Sequence, residues 1–152
     1  MTSMFRWCLA TVLLIALSVF SGVGQDAHGQ REPAFRVIVH PSSTVESLPK
    51  KEVSRMFLKR RTQWPDGGQV TPVDLPESSD IRRQFSRTVH GRGVDIIANY
   101  WVREIFSGKR VPPKQLKNAA QVVEFVRDNE GAIGYVNPGA VTDEVKVLEV
   151  IE

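Results

Sequence analysis

Short apolar runs alternate with stretches of helical periodicity along this chain, and that alternation limits its fold more than any other feature. Runs rich in β-branched and aromatic residues predict strands at residues 35–40, 70–73, 131–136 and 145–151. Between them, apolar residues recur at three- and four-residue spacings, which is the helical pattern. Strands that alternate with helices indicate an α/β layer fold with much parallel pairing. We therefore expect a mixed, mostly parallel sheet flanked by helices.

The best-defined helix is predicted over residues 94–106 and ends at Ser107-Gly108. Its apolar positions follow the helical period without a gap: Val94, Ile97, Ala98, Trp101, Val102, Ile105 and Phe106. An earlier helix is expected to be capped by Ser47, with Pro49 near its first turn. Residues 109–118 contain Pro112-Pro113 and are predicted to form a loop without regular structure.

The first 24 residues have the layout of a secretory signal peptide. Arg6 precedes a twelve-residue apolar run, 9–20, and small residues follow that run. The run is shorter than the about 20 apolar residues of a membrane span. An uncleaved N-terminal anchor is the alternative. We expect a signal peptide at 1–24, a flexible leader at 25–34, one domain at 35–152, no membrane span after cleavage, and a periplasmic or secreted location.

Composition argues against several classes of function. The whole chain has 20 basic and 17 acidic residues. Removal of residues 1–24 takes away Arg6 and the single cysteine and leaves 19 basic and 17 acidic residues. This excess is small, and export also argues against a nucleic-acid partner. The three histidines lack metal-type spacing, and neither a nucleophile motif nor a phosphate-binding glycine loop occurs. We expect no catalytic residues, no metal, no cofactor and no enzymatic activity.

The segment 73–85 carries the candidate binding site. It is predicted to be the end of a strand, a turn and the start of a helix, with Ser78 or Ser79 as the cap and Ile81, Phe85 and Val89 as its buried stripe. A helix start presents free N–H groups to an anion. The candidate anion-binding residues are Ser78, Ser79, Asp80, Ile81 and Arg82. The alternative is an ordinary capped turn that binds nothing.

Basic residues cluster in two places and could create a positive field for a small anion or an acidic partner surface. One set follows the turn, and the other occupies the proline-containing loop: Arg82, Arg83, Arg87 and Arg92; Lys109, Arg110, Lys114 and Lys117. The alternative is that both sets form ordinary solvated faces.

Three segments resemble the phosphate-binding proteins of bacterial phosphate ABC transporters, which are type II periplasmic binding proteins. They are residues 53–59 with Trp64, residues 71–79 with Phe85, and the string Gly-Ala-Ile-Gly-Tyr-Val at 131–136, which is the most specific. The resemblance spans about residues 35–151 and covers a single lobe of the two-lobed family fold. It implies a solute-binding-like protein whose ligand is phosphate or another oxyanion.

The chain also departs from the pattern of that family. The position of the family's arginine falls near Asp74 or Leu75, and Asp80-Ile81 replace its glycine and threonine. Loss of a bidentate arginine removes the strongest donor to phosphate. We therefore expect an exported protein that binds a small oxyanion weakly or as part of an assembly. The alternative is a periplasmic protein–protein interaction module, with an envelope protein as partner and no small-molecule ligand.

Overall fold

The computed structural model describes residues 34–152. Its strands are β1 (Arg36–Val39), β2 (Ser47–Pro49), β3 (Thr71–Asp74), β4 (Lys114–Gln115), β5 (Ala132–Val136) and β6 (Lys146–Ile151). Its helices are α1 (Lys50–Phe57), α2 (Asp80–Phe85), α3 (Val94–Phe106) and α4 (Ala119–Asp128). A π-helical turn, Ser86–His90, continues α2, and a short 3-10 turn spans Pro138–Ala140. The predicted signal peptide lies outside the described residues.

The six strands form one sheet in the order β2-β6-β1-β5-β3-β4. Strand β1 runs antiparallel to both of its neighbours, β5 and β6. The remaining pairings in residues 34–152, β2 with β6, β5 with β3 and β3 with β4, are parallel. This confirms the predicted mixed α/β layer fold. No helix within these residues is long and apolar enough to cross a membrane.

Strand β5 shows how helices cover both faces of the sheet. Successive side chains of a strand point to opposite faces. A Cβ added at Gly134 would lie 2.5 Å from Val122 of α4, so this face of the strand is pressed against that helix. The next residue, Tyr135, instead packs among Phe57 of α1 and Phe85 of α2, with its ring stacked on that of Phe85 at 3.9 Å. The second glycine of the string 131–136 is therefore required by close packing.

Two predicted elements differ from the structure near their ends. Ser47 does not cap α1, because residues 47–49 pair with β6 as a short strand and α1 begins after Pro49. The loop 109–118 contains the two-residue strand β4, whose Lys114 pairs with Val73. In both segments the structure is determined by pairing with a neighbouring strand. The local sequence does not show which strand will lie alongside.

Helix α3 has the predicted bounds but buries less than its periodicity suggests. Ile97, Tyr100 and Trp101 form a separate small cluster with Leu58, apart from the main core. A second part of its apolar face is exposed: Val102 by 49%, Ile105 by 51% and Phe106 by 88%. The buried residues of α3 pack against Leu58, the C-cap of α1, and much of the remaining apolar surface of the helix is exposed.

Candidate functional site

The turn between β3 and α2 brings a buried carboxylate close to a helix start. Asp74 is the last residue of β3, and α2 begins at Asp80. Ser79 is the N-cap, with an extended backbone and a side-chain oxygen that accepts the Arg82 amide at 3.4 Å. This contact satisfies one of the free first-turn donors of the helix and leaves the O–H of Ser79 able to donate.

Arg82 points inward from this helix. Its side chain is 6% exposed, and its Nη1 lies 2.8 Å from Oδ2 of Asp74, whose side chain is 9% exposed. The Nε of Arg82 is buried and has no hydrogen-bond partner among the described residues. The ion pair compensates much of the cost of burying two charges, but one donor of the guanidinium remains unsatisfied.

Tyr135 completes what we term the buried cluster, which consists of Asp74, Arg82 and Tyr135. The Tyr135 hydroxyl donates to Oδ1 of Asp74, and the Leu75 amide donates to the same oxygen at 2.9 Å. Burial raises the pKa of the Asp74 carboxyl, and the Arg82 charge and the Tyr135 hydrogen bond oppose that shift. Burial and the nearby carboxylate raise the pKa of Tyr135, so this hydroxyl stays protonated.

A cavity of about 330 Å³ opens beside the buried cluster, and we term it the cleft. Asp74, Glu77 and Arg82 supply its charged groups and Gln115 an amide. The rest of its wall comes from α3 and the following loop: Ala98, Trp101, Val102, Ile105, Pro112 and Pro113. Two carboxylates therefore accompany a single guanidinium, so the charged groups of the cleft sum to a formal charge of −1 when both carboxylates are ionised.

The five candidate anion-binding residues share one turn, and one of them, Arg82, lines the cleft. Ser78, Ser79, Asp80 and Ile81 are absent from its lining. Ser78 is exposed, and its carbonyl accepts the Arg83 side chain at 2.8 Å. Asp80 is exposed and pairs with Arg83. Ile81 is half-buried against the core.

Sequence reasoning did not assign Tyr135, Glu77, Trp101 or Gln115 to the site, and it named Asp74 only as a residue near the position of the family's arginine. One signal was present in the helix itself. Arg82, Phe85 and Val89 are buried at i, i+3 and i+7, together with Ser86. This spacing places the arginine on the inner face and requires a buried acceptor for it. The identity of that acceptor depends on a contact between β3 and α2.

Residues 34–152 contain no group of three or more acidic, histidine or cysteine side chains that could hold a metal ion, and His28 lies outside these residues. His40 hydrogen-bonds Ser42 at 2.7 Å. Burial, helped by the Arg82 charge, lowers the pKa of His90 to about 3, so its imidazole is neutral near pH 7.

The fold is similar to that of known phosphate-binding proteins. No family model matches the sequence, and no curated protein matches it. Solved structures do match. A protein described as a phosphate ABC transporter substrate-binding protein from Clostridium perfringens, with bound phosphate, has a TM-score of 0.63 and 20% identity over 77% of this chain and 44% of its own.

Two further structures agree with that match. An ABC-type phosphate transport receptor from Vibrio cholerae has a TM-score of 0.62 and 15% identity, over 77% of this chain and 46% of its own. PstS from Borrelia burgdorferi has a TM-score of 0.55 and 14% identity, over 77% and 47%. The chain therefore has the substrate-binding-protein fold, and it spans less than half the length of each of these proteins. A single lobe fits this coverage.

Proposed function

We propose that this is an exported, non-enzymatic solute-binding-like protein, related to phosphate substrate-binding components, that binds a small oxyanion weakly or as part of an assembly. The observation that carries the proposal is Arg82: a buried guanidinium that lines a cleft and retains an unsatisfied donor. Its fold, shared with the phosphate-bound protein from Clostridium perfringens, supports the same ligand class.

The charges of the cleft favour an oxyanion that keeps a proton. Asp74 already accepts from Arg82, Tyr135 and the Leu75 amide. Glu77 is exposed, and its carboxylate can accept a further hydrogen bond. A fully ionised anion such as sulfate has no proton to donate and would be repelled, whereas hydrogen phosphate can donate one. Because the cleft is open to solvent, we expect weak binding.

Calorimetric titration of the purified protein with phosphate and sulfate tests this assignment. We expect saturable phosphate binding with a dissociation constant of order millimolar, about −4 kcal/mol, and weaker sulfate binding. Glu77→Gln should reduce the preference for phosphate, because the amide can donate to either anion. Glu130→Gln, an exposed residue outside the cleft, is the matched control. Absence of saturable heat with either anion would refute the proposal.

A second function, an interaction module for an envelope protein, is favoured by the exposed apolar residues beside the cleft. Val102 and Ile105 line the cleft and are about half exposed, and Phe106 and Val111 continue this surface with exposures of 88% and 64%. Exposed apolar groups that lie together commonly mark a contact surface.

Photo-crosslinking distinguishes the two functions. A photoreactive residue at position 106 should give one dominant crosslinked product in cells if the surface binds a protein, and one at Lys117 should not. Equal, diffuse labelling from both positions would eliminate the interaction module and leave the oxyanion proposal unaffected.

A further inference from the structure

A second depression lies between α1 and the turn that ends the α2 helix, and we term it the basic groove. Its volume is about 780 Å³, and none of its lining residues lines the cleft. Five cationic side chains line it: Lys50, Lys51, Arg55, Arg60 and Arg87. No acidic residue of the described chain is among its lining residues, so the groove has one sign of charge throughout.

The cations of the groove differ in how far they are neutralised. Arg55 pairs with Glu52 at 3.1 Å, and Lys50 pairs with Glu152. The Arg60 guanidinium stacks 5.0 Å from the centre of the Tyr100 ring, which orients it without cancelling its charge. Lys51 and Arg87 are exposed and form no ion pair with any residue in 34–152. These two charges are the most available to a ligand.

Neutral polar groups form the floor of the groove. Ser54 hydrogen-bonds Nδ1 of His90 at 2.8 Å, and both residues line the groove. Because burial lowers the pKa of His90 to about 3, this imidazole adds no charge near neutral pH. The large apolar side chains of the lining are Leu58 and Val89. The groove therefore offers charge and hydrogen bonds but few apolar contacts.

The length of the groove limits the shape of a ligand that can contact the cations at both of its ends. From Lys50 to Leu58 the chain follows α1 and its C-cap, a distance of about 12 Å at the helical rise. Cations at the start of α1 and at Arg60 beyond its end cannot all contact one tetrahedral anion. A ligand that engages both ends must be elongated and carry several negative groups.

We propose that the basic groove binds a linear oligophosphate, a chain of several phosphate groups. Guanidinium groups bind phosphate oxygens through paired hydrogen bonds, and ammonium groups act as point charges. An acidic protein segment fits less well, because protein contacts depend on buried apolar or aromatic anchors that this lining scarcely provides. The inference is independent of the oxyanion proposal for the cleft.

Calorimetry with inorganic tripolyphosphate tests the inference. We expect tripolyphosphate to bind at least about tenfold more tightly than orthophosphate, and raised salt to weaken it. The double variant Lys51→Gln/Arg87→Gln should weaken tripolyphosphate binding by about tenfold or more, since it removes two charge-assisted contacts. The matched control Lys109→Gln/Lys117→Gln makes the same change in net charge at exposed positions outside the groove.

Each result has a defined consequence. Loss confined to the groove variant supports the inference. Equal loss in both double variants would show a general charge effect and overturn it, as would the absence of saturable tripolyphosphate binding. Preference for a hexaglutamate peptide or for phosphatidylglycerol vesicles over tripolyphosphate would assign the groove to an acidic protein or a membrane and would also overturn it. Phosphate binding in the cleft remains measurable separately through Glu77→Gln.

Discussion

The buried cluster and the basic groove use charge in opposite ways. In the buried cluster, Asp74 and Arg82 are almost fully removed from solvent and meet at 2.8 Å. In the basic groove, Lys51 and Arg87 face solvent and have no ionic partner in residues 34–152. A buried cation such as Arg82 is therefore committed first to its neighbour in the fold, whereas the exposed cations of the groove keep their charge for a ligand.

His90 connects the two regions. It lines the basic groove, yet its ring packs edge-on against Phe85 at 5.3 Å, and the charge of Arg82 contributes to its lowered pKa. A substitution in the buried cluster should therefore alter the environment of His90 in the groove, whereas a substitution of the exposed cations should leave the core unchanged.

The largest effect is expected from separating the buried pair. Asp74→Ala should destabilise the protein by about 3–5 kcal/mol, because it leaves Arg82 buried without a counter-charge. Urea denaturation measures this loss. The double variant Asp74→Ala/Arg82→Met should be less unstable than the sum of its single changes. Arg83→Met, at a half-exposed site, is the control, and strictly additive losses would contradict the comparison.

The pH dependence of stability should follow His90. The unfolded residue titrates near pH 6.5 and the folded one near 3, so the unfolded chain binds the proton more readily. Its contribution is present above pH 6.5 and is lost as the pH falls toward 3, by at most about 1.4 kcal/mol per pH unit. Unfolding free energies at pH 7 and pH 5 should differ less in His90→Gln. An unchanged difference would refute this assignment.

Loss of the helix cap should have a smaller effect. Ser79→Ala removes the acceptor of the Arg82 amide and should cost about 1 kcal/mol. Ser78→Ala, at the preceding exposed position, should be nearly neutral. Thermal and urea unfolding of both variants provide the comparison. Similar losses in the two would show that the cap is not the stabilising interaction.

The smallest effect on stability is expected in the basic groove. Lys51→Gln/Arg87→Gln should change the free energy of unfolding by less than about 0.5 kcal/mol, as is usual for exposed residues without special contacts. A loss above 1 kcal/mol on the same scale would mean that these cations support the fold and would remove the contrast with the buried cluster.

Local sequence patterns predicted the features that depend on interactions between residues near one another in the chain. Helix α3 has its predicted bounds, because an unbroken apolar period leads to Ser107-Gly108, and Gly108 adopts a positive φ of 64°. Ser79 has the predicted cap role for the same reason. The layer fold followed from the alternation of strand and helix patterns.

Contacts between residues far apart in the sequence could not be predicted from these local patterns. Periodicity marked Phe106 as part of an apolar face, but it did not show that α3 would leave this residue 88% exposed. The Asp74–Arg82 pair joins a strand to a helix. Tyr135 contacts this pair from β5, 61 residues after Asp74 in the sequence. Trp101 of α3 and Gln115 of β4 likewise lie far along the chain from Asp74, which kept them out of the predicted site.

The position of β1 in the sheet affects how the protein can be made. Arg36 pairs with Val136, and Val37 pairs with Leu148, so β1 cannot complete its pairing in the sheet until β5 and β6 have been made. During synthesis, Val37, Ile38 and Val39 emerge from the ribosome long before their partners exist. Contacts this distant in sequence slow folding and leave apolar strands open to aggregation. The nascent chain should therefore need shielding by a chaperone until β6 has been translated.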